Sequence, residues 1–223
     1  MTLSGIEAII FDCDGVLVDS EVIHIAVERE LLAEDGLRYS DEEYLTRFVG
    51  LSNPDFHREL RGDYLSRADR EFPYDFEERL QSRLWPRVER ELKAITGVSE
   101  LVDAFSGSVA VASSSPPDRL SKKLTMTGLA DLFAPHIYSA EQVDRGKPSP
   151  DLFLFAAAAL GVSPGRCAVI EDSLHGITAA KRAGMRAIGF VGGAHADVGL
   201  RARLLHGGAQ FVVSGHDEVQ KLA

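Results

Sequence analysis

The sequence predicts an α/β protein, a parallel sheet with helices on both faces and an all-helical block inserted after the first strand. Three observations carry this. Short runs rich in Ile, Val, Phe and Ala recur at Ile6–Phe11, Ser108–Ala112, Ala168–Ile170, Ala187–Phe190 and Phe211–Val213. They lack strict alternation, as strands covered on both faces do. Helical stretches separate them, the arrangement that parallel pairing requires. Residues Asp19 to Lys93 differ from the rest: 19 acidic and 12 basic side chains, and few β-type runs.

Taken in order, Ile6–Phe11 is the first strand. The block that follows places Leu31, Leu32, Leu45, Phe48, Phe56, Leu60, Leu65, Phe76, Leu80 and Leu84 at spacings suited to a helical bundle. Its connections, near Leu17–Ser20 and Ala94–Gly97, read as two hinge strands. This divides the chain into an α/β core, 1–18 and 94–223, and a helical cap, 19–93. The second strand ends in Ser113-Ser114-Ser115-Pro116. Pro150–Gly161 reads as a helix begun by proline and ended by glycine. Cys167–Ile170 forms a further strand, followed by a helix in Asp172–Gly184 with Ile177, Ala180 and Ala183 at helical spacing. No internal repeat or low-complexity segment is present.

Charge excludes some functions. With 24 basic and 34 acidic residues among 223, the net charge is −10, which argues against bulk electrostatic binding of nucleic acid or an anionic membrane. Two cysteines build no disulfide framework, so a reducing, cytoplasmic setting is expected. The N-terminus lacks a basic start, and its apolar run stops at Asp12, too early for a signal peptide. The longest apolar stretch, Leu152–Val162, is about half the ~20 residues a spanning helix needs. The protein is therefore expected to be soluble and intracellular. No coiled-coil seam is present, and the oligomeric state stays open.

Four features carry chemistry. The first strand runs into Asp12-Cys13-Asp14-Gly15, and ligands of open parallel sheets bind beyond the strands' carboxyl ends. Two adjacent carboxylates repel unless a cation lies between them or one is protonated, and their hard oxygens suit Mg²⁺. An isolated Asp-x-Asp also occurs as a solvated turn. The Ser113-Ser114-Ser115 run offers hydroxyl and backbone N–H donors for phosphate oxygens, or else a helix-capping turn. Lys147, flanked by Gly146 and Pro148, is a candidate fixed charge against phosphate; the alternative is a solvated surface lysine. Glu171-Asp172, at another strand end, could complete an oxygen shell; the alternative is a cap for the helix that follows, a role open to Asp172 or Ser173.

Together, Asp12-x-Asp14-Gly-Val, Ser113, Lys147-Pro and Glu171-Asp172 resemble the four motifs of the haloacid dehalogenase superfamily. The chain is most similar to its phosphatase and β-phosphoglucomutase-like branch, and "VIEDSLHGITAAKRAGM" resembles that branch's fourth motif over nearly its whole length. The resemblance implies a Rossmann-like core. It implies Asp12 as nucleophile, forming an aspartyl-phosphate, and Asp14 as general acid and base. It implies Mg²⁺ held by the carboxylates of Asp12 and Asp172 and the backbone carbonyl of Asp14. Ser113, the Ser114 N–H and Lys147 would bind phosphoryl oxygens, and Glu171 would orient water at the metal. The second acid, Asp14, favours phosphoryl transfer over carbon–halogen chemistry.

In the cap, Arg47-Phe48-Val49-Gly50-Leu51-Ser52-Asn53 resembles the substrate-specificity loop. β-Phosphoglucomutases carry arginine at the position aligned with Asn53; its absence favours a monophosphate hydrolase, although Arg47 lies in the adjacent turn. His24, at the hinge, is a candidate site residue or a helix-surface histidine. Cys13 and Cys167 read as packed core thiols, and the histidines show no zinc-binding spacing. The expected function is a Mg²⁺-dependent phosphatase for a small phosphorylated substrate, a sugar or sugar-acid phosphate. A phosphoglucomutase-type isomerase and a non-catalytic binding protein are the alternatives. Substrate identity would reside in the cap and in loops such as Val191–His195.

Overall fold

A computed structural model describes residues 4–48 and 53–222, the side chains of Asn53 and Pro54 excepted. The chain divides into two compact units, Met1–Glu21 with Leu92–Ala223, and Val22–Glu91.

Among the described residues, the larger unit is built on six parallel strands, β1 (Ala8–Phe11), β2 (Ser108–Ser113), β3 (Ile137–Ser139), β4 (Cys167–Glu171), β5 (Arg186–Phe190) and β6 (Phe211–Val213), in the order β3-β2-β1-β4-β5-β6. All four residues of β1 are fully buried, because helices cover both faces. Ile9 and Phe11 pack on one face with Val111, Ile170, Leu120, Leu124 and Val219. Ala8 and Ile10 pack on the other with Val169, Leu152, Phe153, Ala156 and Ile177. In register, Ile9 lies between Val109 of β2 and Ala168 of β4. The first strand is thus where the strand order reverses, so the ends of β1, β2 and β4 border one crevice.

The helices around the sheet are α5 (Val98–Ala104), α6 (Pro117–Met126), α7 (Ala130–Phe133), α8 (Asp151–Leu160), α9 (Leu174–Arg182), α10 (Leu200–Gly207) and α11 (His216–Leu222). Helix α8 ends at Gly161 in the left-handed region. Helix α9 is capped by Ser173, whose hydroxyl accepts the Gly176 N–H. At the hinge expected near Leu17–Ser20 and Ala94–Gly97, Asp19 N–H donates to Lys93 O at 3.1 Å and Ile95 N–H to Leu17 O at 2.8 Å. β3 was not expected: three residues behind a proline give too short an apolar run to stand out.

The smaller unit holds α1 (Glu21–Glu34, its first residue belonging to the larger unit), α2 (Asp41–Arg47), α3 (Asn53–Arg67) and α4 (Phe76–Glu91). Helix α4 buries Phe76, Leu80, Leu84 and Val88 at intervals of four, one apolar stripe. Tyr39, Tyr44, Phe48 and Phe56 form edge-to-face and tilted ring pairs, as do Tyr64, Phe72 and Phe76. One expected core position is wrong: Leu65 is 61% exposed, and its neighbour Tyr64 is the buried one. No helix among the described residues is long and apolar enough to cross a membrane.

Candidate active site

The end of β1 delivers Asp12, which is 7% exposed. Beyond it the chain doubles back tightly, with the Gly15 N–H on Val18 O at 2.8 Å and the Leu17 N–H on Cys13 O at 2.8 Å. Gly15 has φ +77°, and a Cβ there would fall 2.0 Å from Asp172 Oδ2. The turn therefore requires glycine for its backbone angle and for its close approach to the fourth motif. Cys13 is fully buried, and burial pushes its thiol up, so it is core. Cys167 is also core; burial raises it to about 11.

Lys147 lies inside this crevice, its side chain 4% exposed. Its Nζ donates to Asp12 Oδ1 at 2.5 Å and to Glu171 Oε1 at 2.7 Å, over the ring of Phe153. A solvated surface lysine is excluded. Glu171 is 1% exposed, and its second oxygen accepts both the backbone N–H and the hydroxyl of Ser173, each at 2.8 Å. Glu171 therefore anchors Lys147 and the start of α9, and Ser173, rather than Asp172, caps that helix.

Asp14 has a different set of partners. Lys123 Nζ donates to its Oδ1 at 2.5 Å, Ser115 Oγ to its Oδ2 at 2.8 Å, and Ser20 Oγ to Oδ1. Burial raises this carboxyl, but Lys123 and the two hydroxyls outweigh it and hold it below the ordinary value. Ser113 is buried, and its hydroxyl accepts the Ser115 N–H at 3.0 Å; Ser114 is exposed at the crevice end of β2. The Ser115 carbonyl accepts the hydroxyl of Ser139, at the end of β3, at 2.7 Å.

Asp12, Asp14, Ser113, Lys147, Glu171 and Asp172 thus converge within one unit. Sequence reasoning missed Lys123, Ser20 and His195, which pairs with Asp172 at 3.1 Å, and it placed Ser115 in a run of phosphate donors where its hydroxyl donates to Asp14. Lys123 left a signal: it falls on the buried stripe of α6 with Leu120 and Leu124, where a lysine needs a partner.

The candidate cap residues lie in the smaller unit. His24 faces Glu28 one helical turn on, at 3.4 Å, with its side chain 36% exposed. Arg47 is engaged by Asp63 at 2.9 Å and Glu43 at 3.2 Å and sits over the Phe48 ring. Gly50 lies outside the described residues, as does the side chain of Asn53, which opens α3.

The donor set suits a hard divalent cation. Burial, with the nearby carboxylates of Glu171, Asp172 and Asp14, pushes Asp12 well up despite Lys147. Burial likewise raises Asp172, with Glu171 adding to it. Buried acidic oxygens short of positive charge favour a cation over ionised isolation. Among the described residues, no three His, Cys, Asp or Glu side chains form a ready-made cage. Mg²⁺ commonly takes one or two carboxylates and fills its remaining positions with water and substrate.

Comparison with known proteins agrees with this architecture. The profile of the family described as haloacid dehalogenase-like hydrolase matches residues 6–184. The chain is 31% identical to 6-phosphogluconate phosphatase of Escherichia coli K12 over 86% of each chain. It is 37% identical to hexitol phosphatase B of the same organism, over 81% of this chain and 82% of that one. A haloacid dehalogenase-like protein of Agrobacterium tumefaciens superposes with a TM-score of 0.88 at 41% identity over 97% of each chain. A family hydrolase from Deinococcus radiodurans, solved with bound phosphate and sodium, gives 0.83 at 36% identity, covering 97% of this chain and 94% of that one. With its motif residues gathered where the strand order reverses, the chain belongs to the haloacid dehalogenase-like hydrolases.

Proposed function

We propose that the protein is a Mg²⁺-dependent phosphatase that hydrolyses small phosphorylated sugars or sugar acids through an aspartyl-phosphate on Asp12. The observation that carries this reading is the buried Lys147, bonded to Asp12 and Glu171 at the ends of two neighbouring strands. A family hydrolase with a lysine on such a carboxylate has the parts for phosphoryl transfer, a task of positioning and charge cancellation. Similarity to 6-phosphogluconate phosphatase and hexitol phosphatase B supports a phosphoric monoester hydrolase and a sugar-derived substrate.

In this reading an Asp12 carboxylate oxygen attacks phosphorus, and the substrate's alcohol oxygen leaves with a proton from Asp14. Water then attacks the aspartyl-phosphate, giving up a proton to Asp14 and releasing inorganic phosphate. The ionised Asp14, held by Lys123, Ser20 and Ser115, is the form that accepts that proton. Ser113, the Ser114 N–H and Lys147 orient the phosphoryl oxygens. The carboxylates of Asp12 and Asp172 and the carbonyl of Asp14 would hold Mg²⁺, which supplies positive charge for the phosphoryl oxygens and favours ionised Asp12.

The test is phosphate release from a panel of sugar, sugar-alcohol and sugar-acid monophosphates with Mg²⁺, beside Asp12→Asn. Turnover without a bisphosphate primer, abolished in Asp12→Asn, supports the reading. Absence of phosphate release across the panel overturns it.

A further inference from the structure

The loop after β5, Val191–His195, closes back on the first motif. The Ala194 N–H donates to Asp19 Oδ1 at 3.1 Å, and the Ala196 N–H to Gly193 O at 3.0 Å, which fixes the loop on both sides of His195. The imidazole is 7% exposed, and its Nε2 lies 3.1 Å from Asp172 Oδ2. Two glycines make room for it. A Cβ on Gly15 would come within 2.8 Å of His195 Cε1, and one on Gly193 within 2.7 Å of Nδ1. This is a built seat for one ring against one carboxylate.

The other ring nitrogen decides what the contact is. Nδ1 is buried and has no hydrogen-bond partner among the described residues. A histidine that ligates a metal through Nε2 carries its hydrogen on Nδ1 and almost always donates it to a carboxylate, carbonyl or water. Here that hydrogen would be an unpaired donor in the interior, which is strongly disfavoured. With the hydrogen on Nε2, the ring donates to Asp172 and leaves only a bare lone pair without a partner.

We propose that His195 is a positioning residue for the metal site: its Nε2–H holds Asp172 Oδ2, fixing the carboxylate's rotation so that Oδ1 is the oxygen available to the cation. The loop that sequence reasoning assigned to substrate choice then serves metal affinity. The proposal deepens the reading of Asp172 as a metal ligand and rests on it.

The experiment is the Mg²⁺-dependent rise in melting temperature of the full chain after EDTA treatment, read as the concentration giving a set rise. His195→Ala is expected to require about 10–100-fold more Mg²⁺ than wild type, the usual loss when a ligand's supporting partner is removed. His195→Gln, whose side-chain amide can donate in place of Nε2, is expected to recover most of it. Equal Mg²⁺ response in wild type and His195→Ala overturns this proposal alone, as does a glutamine variant no better than alanine. A wild type without any Mg²⁺-dependent rise, or an Asp172→Asn variant that matches it, overturns the metal reading and the proposal with it. Nitrogen NMR of the wild-type ring gives a check that needs no variant. Hydrogen on Nε2 with and without Mg²⁺ is expected, and a bare Nε2 in either state overturns the assignment.

Discussion

Replacing Lys147 by methionine keeps an unbranched stem over Phe153 and removes the one ammonium shared by Asp12 and Glu171. Both carboxylates stay in place, one 7% and the other 1% exposed. Removing one partner of a buried ion pair costs about 3–5 kcal/mol. Proton uptake sets a ceiling near the same value. Holding one carboxyl of ordinary pKa near 4 in its neutral form at pH 7 costs about 1.36 × 3, or roughly 4 kcal/mol. A loss of about 4 kcal/mol corresponds to a fall of roughly 8–16 °C in melting temperature for a chain of this size.

The sign with pH follows from which state binds more protons. In Lys147→Met the folded state takes up a proton that the unfolded chain, with its ordinary carboxyls, lacks at neutral pH. Stability therefore falls as pH rises. At pH 5 the same arithmetic leaves about 1.4 kcal/mol, a fall of roughly 3–6 °C. Thermal melting of both proteins in EDTA at pH 5 and pH 7 measures this directly. A deficit equal at the two values, or no deficit at either, refutes the reasoning that Lys147 compensates two buried carboxylates. Phosphate release by the variant at pH 7 should fall to background, because the ammonium that faces Asp12 and would orient the phosphoryl oxygens is gone.

Three further outcomes are expected. Asp12→Asn should abolish phosphate release yet melt within about 3 °C of wild type in EDTA, since Lys147 keeps Glu171 and a buried raised-pKa carboxyl disappears; a collapse of the fold would contradict the placement of Asp12. Lys123→Met frees Asp14 from the ammonium that holds its carboxyl low, so hydrolysis of the aspartyl-phosphate, which needs ionised Asp14, should lose its activity at higher pH than in wild type, for alkyl phosphates and p-nitrophenyl phosphate alike. An unchanged pH profile for both substrates would show that Lys123 does not act through Asp14. In the smaller unit burial raises Asp35, but hydrogen bonds from Arg79, Tyr64 and Arg70 outweigh it and lower the carboxyl overall. Its contribution, about 1–3 kcal/mol, is present above the ordinary pKa near 4 and is lost as pH falls through the depressed folded value. The melting difference between wild type and Asp35→Asn should therefore shrink below pH 4, and a constant difference would count against it.

The sheet was legible because burial on both faces leaves continuous apolar runs. Ala8–Phe11, Cys167–Glu171 and Arg186–Phe190 carry that imprint, and their chain order with helices between requires parallel pairing. β3 carried none, since Ile137-Tyr138-Ser139 offers only two apolar side chains before a polar one, too short a run to stand out. Leu65 failed for a different reason: two adjacent helical positions, Tyr64 and Leu65, are both apolar, and periodicity alone does not say which one faces inward. In the site, Asp12, Glu171 and Asp172 announced themselves by standing at strand ends, and Lys147 by the Gly146 and Pro148 that flank it. Lys123 did not, because its meaning is a contact with Asp14, 109 positions away. His195 was equally silent, since a lone histidine in a glycine-bearing loop has no local pattern.

Those unforeseen contacts change how the phosphate site balances. Lys147 reads in the sequence as a free charge for phosphate, but in the fold it already answers two carboxylates. Leaving aside His195, which its contact with Asp172 raises despite burial, the cluster contains Asp12, Asp14, Glu171 and Asp172 against Lys123 and Lys147, −4 + 2 = −2. An incoming phosphate dianion would meet net repulsion in a medium that screens it poorly. One divalent cation brings the sum to zero and concentrates the positive charge beside Asp12, where the phosphoryl oxygens must come. In the proposed reading, the need for a metal follows from the two lysines being spent on carboxylates. Charge-neutral replacement of both Asp14 and Lys123 should leave the Mg²⁺-dependent rise in melting temperature nearly intact, because it removes a matched pair. Neutralising Asp172 alone should abolish it, and comparable Mg²⁺ responses in the two variants would refute this charge balance.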